Sequence, residues 1–573
     1  MNTRSQKALV WMLLATFCGC SSSTSIDQEG EIAESDETFV LGDLLTPFDP
    51  PSLEQLEQTV AAGGGWVERP VLDSLELLRA RQAQEPVLAT VDEALALRNN
   101  SKEENTKILS ALGRLPKNEN DVDYAAQITR ATPQALNNQN PLLASTMTEF
   151  EVSSLTGFGL FGFDWNFTPY ASPDSVVSWE TSKDGLYDKV VMRNDLLWSD
   201  GTPITAHDIE FSFKVIMSSQ VPIRAQRTGT EAIKYVKAYD DQTLVYFHKR
   251  PLQTNVWNIN FSIIPKHVYE KSIAEDPTLV DSDYHVRLEE KPVTGGGYEV
   301  IKRDQVEVIL KRRKSAYMFA GKQVRDKPFF EIVRLRIIPE ASVRLLSLEA
   351  GDIDEMNLEP QQWSDQTNNE DFYRRCTKAR GLEWTSFSFQ WNENTPFFAD
   401  PKVRQAMTWA FDHQEMLHVH RKGLDQPCTG TYHPTSRWYP GSGNAVGVKI
   451  EPVQQDFEKA KRLLDEAGWV DTDGDGYRDK EIDGRNRKFE FTIIVRNAKE
   501  RIDLCELLAQ NLRLVGVACN VKPLESATLQ DKLFNKQFAA AFGGWGTGAD
   551  PDTSENIWGS DQQRNFVDYK NPL

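Results

Sequence analysis

The sequence predicts a mixed α/β protein with more than one lobe, preceded by a helical accessory segment. The chain has 573 residues, which corresponds to about three to four domains at roughly 150 residues per domain. Its composition, 40% hydrophobic and 26% charged, is typical of globular proteins. From about residue 125 onward, short β-branched and aromatic runs alternate with helical patterns, as they do in α/β and α+β folds.

The charge balance restricts the class of partner. The chain carries 64 Lys and Arg residues against 84 Asp and Glu residues, a net charge of −20. A protein that follows nucleic-acid phosphates needs a basic face, so this composition argues against a nucleic-acid partner. The 14 Trp and 28 Phe residues predict flat apolar contact surfaces in addition to a core.

The N-terminus has the pattern of an export signal. Two cations precede the apolar run 8–17, which is about half as long as a membrane-spanning helix. The Gly-Cys that follows, with serines after it, resembles a bacterial lipoprotein lipobox. This resemblance implies a signal peptide at residues 1–19 and a lipid on Cys20; a plain secretory cleavage near Cys20 is the alternative. Residues 20–50, rich in Ser, Glu and Asp, are predicted to be a tether above the membrane.

Four cysteines remain after Cys20, and their spacing matches no metal-binding pattern. An exported chain permits disulfides. A Cys505–Cys519 pair, a Cys376–Cys428 pair and four free thiols therefore stay open as alternatives.

The accessory segment covers residues 51–128, where apolar residues such as Leu53, Leu56 and Val60 recur at helical spacing. Gly63–Gly65 interrupts this pattern. The β-branched and aromatic runs predict strands at Val190–Met192, Thr243–Phe247, Val306–Leu310, Ile332–Ile338, Phe489–Val495 and Val517–Val521. Helical spacing predicts helices at Asp208–Met217, Ser342–Ala350, Pro401–Leu417, Asp456–Ala467 and Ile502–Val515.

Several local signatures follow one another in a fixed order. They are an Asp-Gly turn with a capped helix (198–208), a Gly-rich turn (294–298), and the segments 348–354, 400–406, 460–469 and 543–551. Together, in this order, they resemble the family 5 extracellular solute-binding proteins, which are the oligopeptide and dipeptide receptors of ABC importers. The resemblance covers about residues 129–573.

This resemblance implies a two-lobed, periplasmic-binding-protein-like fold that encloses its ligand and closes by a hinge motion. The first lobe, with an extra inserted domain, is expected at residues 129–382 and the second lobe at 383–573. Family members continue beyond the last signature, so the second lobe is expected to be C-terminally incomplete relative to the family. The resemblance also implies an ABC permease and ATPase as partners.

The resemblance places the ligand at Trp545, where Gly543 and Gly544 would let it approach the backbone closely. Asp550 is a candidate anchor for a positive group, with a turn cap as the alternative. Peptide-binding members commonly carry an amine-pairing Asp at the position that is Gly548 here. Core packing is the alternative for Trp545. Further ligand-binding candidates are Trp391, Asn392, Tyr432, Trp438 and Phe158.

A short acidic loop resembles the first part of an EF-hand calcium loop. Asp471, Asp473 and Asp475 occupy positions 1, 3 and 5, and Asp479 occupies position 9. Position 12, which should be a bidentate acid, is Ile482. The loop therefore predicts at most a weak calcium site, and an Asp-Gly turn in a surface hairpin is the alternative.

The chain contains no Gly-x-Ser-x-Gly, phosphate-loop or His-Glu-x-x-His sequence, so no enzyme activity and no cofactor other than weakly bound Ca²⁺ are expected. We expect a monomeric lipoprotein in the periplasm or cell envelope that binds peptides or a similar small solute for an ABC importer. The alternative is a ligand-sensing or envelope-assembly module that uses the same fold without transport.

Overall fold

The computed structural model describes residues 39–83, 118–144, 146–164, 168–223, 227, 229–251, 256–373, 375–376, 378, 381–383, 385–434, 439, 451–546, 557–560, 562 and 564–570. The elements below all lie in one compact unit of the chain, Val40–Leu573. Among the described residues, no helix combines the length and the apolar character needed to span a bilayer.

The strands and helices alternate along the chain, as predicted. The strands are β1 (Trp66–Glu68), β2 (Gln127–Thr132), β3 (Phe161–Phe163), β4 (Pro169–Ala171), β5 (Val176–Ser182), β6 (Tyr187–Met192), β7 (Ile233–Ala238), β8 (Thr243–His248), β9 (Tyr298–Arg303), β10 (Glu307–Arg312), β11 (Met318–Phe319), β12 (Lys322–Gln323), β13 (Ile332–Ile337), β14 (Thr385–Trp391), β15 (Asp479–Ile482), β16 (Arg485–Lys488), β17 (Glu490–Arg496), β18 (Ala518–Leu524) and β19 (Ala540–Gly546).

The helices include one or more for each predicted helical segment. They are α1 (Leu53–Ala62), α2 (Ser74–Gln82), α3 (Met147–Thr156), α4 (Ala206–Ile216), α5 (Val256–Ile259), α6 (Lys266–Tyr269), α7 (Asp283–Glu290), α8 (Ala341–Ala350), α9 (Glu370–Tyr373), α10 (Pro401–Ala410), α11 (His413–Glu415), α12 (Phe457–Glu466), α13 (Lys499–Arg513) and α14 (Ser526–Phe534).

The N-terminal segment packs on a sheet of the first lobe. A capping box between Ser52 and Gln55 starts α1, and α1 buries Leu56 and Val60 against strand β8. The helical prediction is confirmed for α1 and α2. It is wrong for β1, which pairs antiparallel with β5, because the free edge of β5 offers backbone hydrogen bonds that a local helix cannot use.

The first lobe contains two larger sheets. The five-stranded sheet has the order β1-β5-β6-β8-β7 and is antiparallel throughout. The four-stranded sheet has the order β2-β13-β10-β9, in which only β2 and β13 run parallel. Helix α3 packs on the four-stranded sheet, with Val152 among the buried Val308, Leu310 and Leu335.

The second lobe is built on one mixed sheet with the order β14-β19-β17-β18. Strands β17, β18 and β19 are parallel, and β14 is antiparallel to β19. One face carries a large core that includes Phe398, Trp469 and Phe489. The other face carries a smaller cluster under helix α14, which includes Leu529 and Leu533.

The helix predicted at Pro401–Leu417 is interrupted. α10 ends at Ala410, because Phe411 takes an extended conformation with φ −81° and ψ 134°. The Phe411 ring lies edge-on against Phe389, 4.9 Å between centroids, and Asp412 caps the short helix α11. Tertiary aromatic packing therefore overrides the helical spacing at this point.

Candidate ligand-binding site

Trp545 lies near the carboxyl end of β19. In α/β sheets, ligands bind beyond the carboxyl ends of the parallel strands. Strands β17 and β18 run parallel to β19, and their last residues, Arg496 and Leu524, are paired in register. Helix α13 begins shortly after Arg496. Trp545, Arg496 and the start of α13 therefore lie along the same edge of the second-lobe sheet.

The Trp545 indole is half-buried. It packs on Phe566, with 5.1 Å between ring centroids, and it adjoins the buried cluster of Ile494, Leu529 and Leu533. The buried part of the Trp545 ring packs within the second lobe, and the exposed part can offer a flat apolar surface to a ligand.

The two glycines before Trp545 differ in their surroundings. A Cβ at Gly544 would lie 2.7 Å from the Phe387 ring, and one at Gly543 would lie 3.3 Å from Nε2 of Gln390. Gly544 therefore allows the ring of Phe387 to lie directly over the β19 backbone. The predicted role of these glycines was to leave room for ligand, but at Gly544 the ring of Phe387 occupies that room.

Phe387 is a candidate site residue that the sequence did not indicate. Its side chain is 42% exposed on β14, and the Arg501 guanidinium carbon lies 4.9 Å from its ring centroid. Burial and the charge of Arg496 lower the pKa of Arg501, the neighbouring Glu500 carboxylate opposes this shift, and Arg421 adds a smaller lowering effect. Arg421 is paired with Asp425 and Glu500, so Arg501 and Arg496 are the guanidinium groups at this edge that an anionic ligand group would meet.

The sequence does not place Phe387 and Arg501 together, because they meet only through strand pairing and helix packing. Phe387 stands opposite Gly544 in the register of β14 and β19, and Arg501 comes from α13. The alternation of Ser and Phe in β14 was the only signal in the sequence, and it does not show which face of the strand is exposed.

Trp391 and Asn392 belong to the packing of the second lobe. The Trp391 ring lies 4.9 Å from that of Phe398 and 6.1 Å from that of Phe491, measured between centroids. Asn392 is 2% exposed. Its Nδ2 donates to the carbonyls of Lys536 and Phe538. Asn392 therefore ties strand ends together and Trp391 packs on aromatic rings of the core, and ligand contact at either residue stays a prediction.

Phe158 lies in the first lobe, half-buried. Its ring is edge-on to that of Trp198, 6.3 Å between centroids, and its backbone bridges to Ile263. Tyr432 is half-buried in a loop, and Nε2 of the neighbouring His433 lies 3.3 Å from the Leu382 carbonyl oxygen, just before β14. Ligand contact at these two residues stays a prediction. The predicted site residues Cys20, Trp438 and Asp550 lie outside the described residues.

The acidic loop gathers three of its four predicted ligands. Carboxylate oxygens of Asp471, Asp473 and Asp479 lie within 4.8 Å of one another. Asp475 instead forms an ion pair with Lys488, with 2.8 Å between Nζ and Oδ2. Asp479 also accepts hydrogen bonds from the backbone and hydroxyl of Thr472. The calcium site stays a prediction for the three gathered carboxylates.

The described cysteines Cys376, Cys428, Cys505 and Cys519 are free thiols. Cys505 is buried in the second-lobe core, and burial raises the pKa of its thiol well above the usual value. That thiol is therefore held in its protonated, unreactive form.

Comparison with known proteins places this geometry among binding proteins. Residues 171–566 match the model for the middle region of bacterial extracellular solute-binding proteins, family 5. The oligopeptide-binding protein AppA of Bacillus subtilis is 27% identical over 396 residues, which cover 68% of this chain and 68% of that protein.

Two solved structures share the fold. The structure of AppA from Bacillus subtilis with a nonapeptide has a TM-score of 0.67 at 23% identity, covering 78% of this chain and 85% of that one. The structure of DppA from Helicobacter pylori with the peptide STSA has a TM-score of 0.64 at 20% identity, covering 78% and 85% respectively.

Proposed function

The chain belongs to the bacterial extracellular solute-binding proteins of family 5, and on this premise we propose that it captures peptides for an ABC importer. The observation that carries the proposal is the family match over residues 171–566, which includes Trp545 and the edge of the sheet around it. The relative from Bacillus subtilis is named an oligopeptide-binding protein, and the related structure from Helicobacter pylori holds a peptide.

Capture requires that one ligand touch both lobes. A ligand held against Trp545 of the second lobe and against first-lobe residues such as Phe158 stabilises the closed arrangement over the open one. The open and closed populations shift by the difference in ligand affinity between the two arrangements. Aromatic faces and backbone groups discriminate little between side chains, which suits a receptor for peptides of varied sequence.

Arg501 is our candidate for recognition of an anionic ligand group, such as a peptide carboxylate. Its guanidinium lies over Phe387, and burial and the neighbouring Arg496 lower its pKa although the Glu500 carboxylate opposes them. A carboxylate bound there gains a charge-assisted hydrogen bond.

Delivery requires a membrane permease and its ATPase, and the receptor itself carries out no chemistry. We further propose that the protein is exported, monomeric and anchored through a lipid on Cys20. A lipid anchor would keep the receptor close to its permease, because each buried methylene adds about 0.8 kcal/mol of membrane affinity.

Native mass spectrometry of the mature protein, purified from its own host, tests the proposal directly. Peptides released by mild denaturation would support peptide capture and give the ligand length, and the intact mass would report the lipid. A protein that carries no ligand and binds nothing from a peptide library would contradict peptide capture and would redirect the search to sugars, metal chelates or a sensing role.

A Trp545→Ala variant tests the site. We expect peptide affinity to fall more than tenfold, which corresponds to about 1.4 kcal/mol or more, because a large flat contact is lost. Trp409→Ala is the matched control, since Trp409 is also a half-buried second-lobe tryptophan and lies on α10 beneath Lys459. Equal affinity in both variants, measured by isothermal titration calorimetry, would remove Trp545 from the site.

A further inference from the structure

A second concavity lies in the second lobe, at the opposite end of the sheet from Trp545. It has a volume of about 720 Å³ and is lined by the first residues of β17 together with residues of β16, β18, α14 and the segment before β19. Three of its lining residues are phenylalanines, the half-buried Phe397 and the more deeply buried Phe491 and Phe538, and we call these three its aromatic floor. A cavity of this size accommodates a small ligand or a short stretch of polypeptide.

The rim of this cavity is cationic. Arg487, Lys522 and Lys532 line it and form no ion pair with another residue that the structure describes. Lys488 also lines it but is paired with Asp475. Glu490, the one acidic residue among the described residues that line the cavity, accepts a hydrogen bond from Asn520. Three unpaired cations around one cavity are notable in a chain with a net charge of −20, and they favour an anionic partner.

The cavity also contains a free strand edge. β17 pairs with β18 along its whole length, whereas its ladder with β19 begins only at Ile493 and ends at Val495. Among the strands that the structure describes, the backbone of Glu490–Thr492 therefore has a neighbour on the β18 side only. An extended peptide can add to such an edge through main-chain hydrogen bonds, while neighbouring pockets select its side chains.

We propose that this cavity, which we call the basic groove, binds an extended acidic segment of a partner protein as a short strand beside Glu490–Thr492. The strand edge supplies the backbone hydrogen bonds, the aromatic floor accepts apolar side chains, and Arg487, Lys522 and Lys532 pair with alternate acidic side chains. A free inorganic anion would use the cations alone and would leave the edge and the floor without a role. The proposal does not depend on which solute the other end of the sheet binds.

The probe is a fluorescein-labelled octapeptide of alternating Glu and Val, blocked at both ends and measured by fluorescence anisotropy on the full mature chain. We expect saturable binding that weakens steeply as salt is added. Lys522→Glu/Lys532→Glu should weaken it tenfold or more, because two attractions become repulsions. The control Lys271→Glu/Lys311→Glu, which reverses two exposed first-lobe lysines, should leave it unchanged.

Two further measurements separate the alternatives. The octapeptide should bind a Phe387→Ala/Trp545→Ala variant as well as it binds the parent, which distinguishes the basic groove from the ligand site. A probe that is N-methylated at alternate backbone nitrogens should bind at least tenfold more weakly. Equal binding of the methylated probe, equal effects of the two lysine variants, or a dimer that dissociates on Lys522→Glu/Lys532→Glu would each overturn the proposal.

Discussion

Replacement of Asn392 by Ala separates a structural residue from a ligand-binding one. Asn392 follows β14, and its amide nitrogen donates to the carbonyls of Lys536 and Phe538 at 3.1 and 2.8 Å. Its Oδ1 accepts from the Asn394 backbone nitrogen at 3.1 Å. The side chain therefore ties the end of β14 to the segment that leads into β19.

The structure sets the size of the effect. Truncation removes three hydrogen bonds from a side chain that is 2% exposed. A buried polar group left without its partner costs about 1–3 kcal/mol, and water entering the space of the lost amide would recover part of this cost. We expect a net loss of roughly 2–4 kcal/mol, which lowers the Tm of the second lobe by about 5–10 °C.

Differential scanning calorimetry measures the Tm of each variant, and isothermal titration calorimetry with a peptide that the parent protein binds measures its affinity. Asn486→Ala is the control, since Asn486 is exposed on β16 and its Nδ2 lies at a long distance of 3.4 Å from the Thr472 hydroxyl. An Asn392→Ala protein with unchanged Tm but at least tenfold weaker affinity would refute our assignment and restore Asn392 to the ligand site.

Three further predictions concern the ligand site, the C-terminal segment and the acidic loop. Gly544→Ala should displace the Phe387 ring, because the new Cβ would lie 2.7 Å from it. Isothermal titration calorimetry should then show weaker peptide binding, and an unaltered affinity would show that the position of the Phe387 ring does not matter to the ligand. Burial alone would raise the pKa of Asp568, but the ammonium groups of Lys536 and Lys570 lower it to about 2. Asp568→Asn should therefore lower the free energy of unfolding above about pH 5, and the difference from the parent protein should shrink as the pH falls from about 4 towards 2. If urea unfolding shows a difference that does not change with pH, the ion pairs are contradicted. Calcium should bind the acidic loop with a Kd of about 0.1–1 mM and raise the Tm slightly. Asp471→Asn should abolish this rise in Tm, whereas Asp475→Asn should not, because Asp475 pairs with Lys488. Loss of the rise in both variants would mean that Asp475 leaves Lys488 for the ion.

Local patterns predicted much of the fold. The strand predicted at Phe489–Val495 and the helix predicted at Ile502–Val515 correspond to β17 and α13, since both follow from the spacing of apolar residues that face a common core. The two-lobed fold came from the order of short signatures, which survives when single positions change.

The sequence was less informative where distant segments meet. β1 adds to β5 through backbone hydrogen bonds that leave no mark in its side-chain pattern, and Phe411 leaves its helix to pack on Phe389. The same limit applies to the candidate ligand-binding site. Trp545 was predicted from its local motif, but Phe387 and Arg501 come close only through strand register and helix packing, and Asn392 shows its buried role only once its partners in the later segment are known.

The packing of the N-terminal segment, which contains α1 and β1, has a consequence for the order of folding. α1 rests on Val245 and Phe247 of β8, and Trp66 of β1 pairs with Ser182 of β5. In a chain that crosses a membrane from its N-terminus, this segment emerges first and yet has nothing to pack on until β8 has followed. The part of the protein nearest its proposed anchor would then be among the last to settle in the first lobe. During that interval, its apolar face would depend on chaperones in the envelope or on rapid translocation of the following strands.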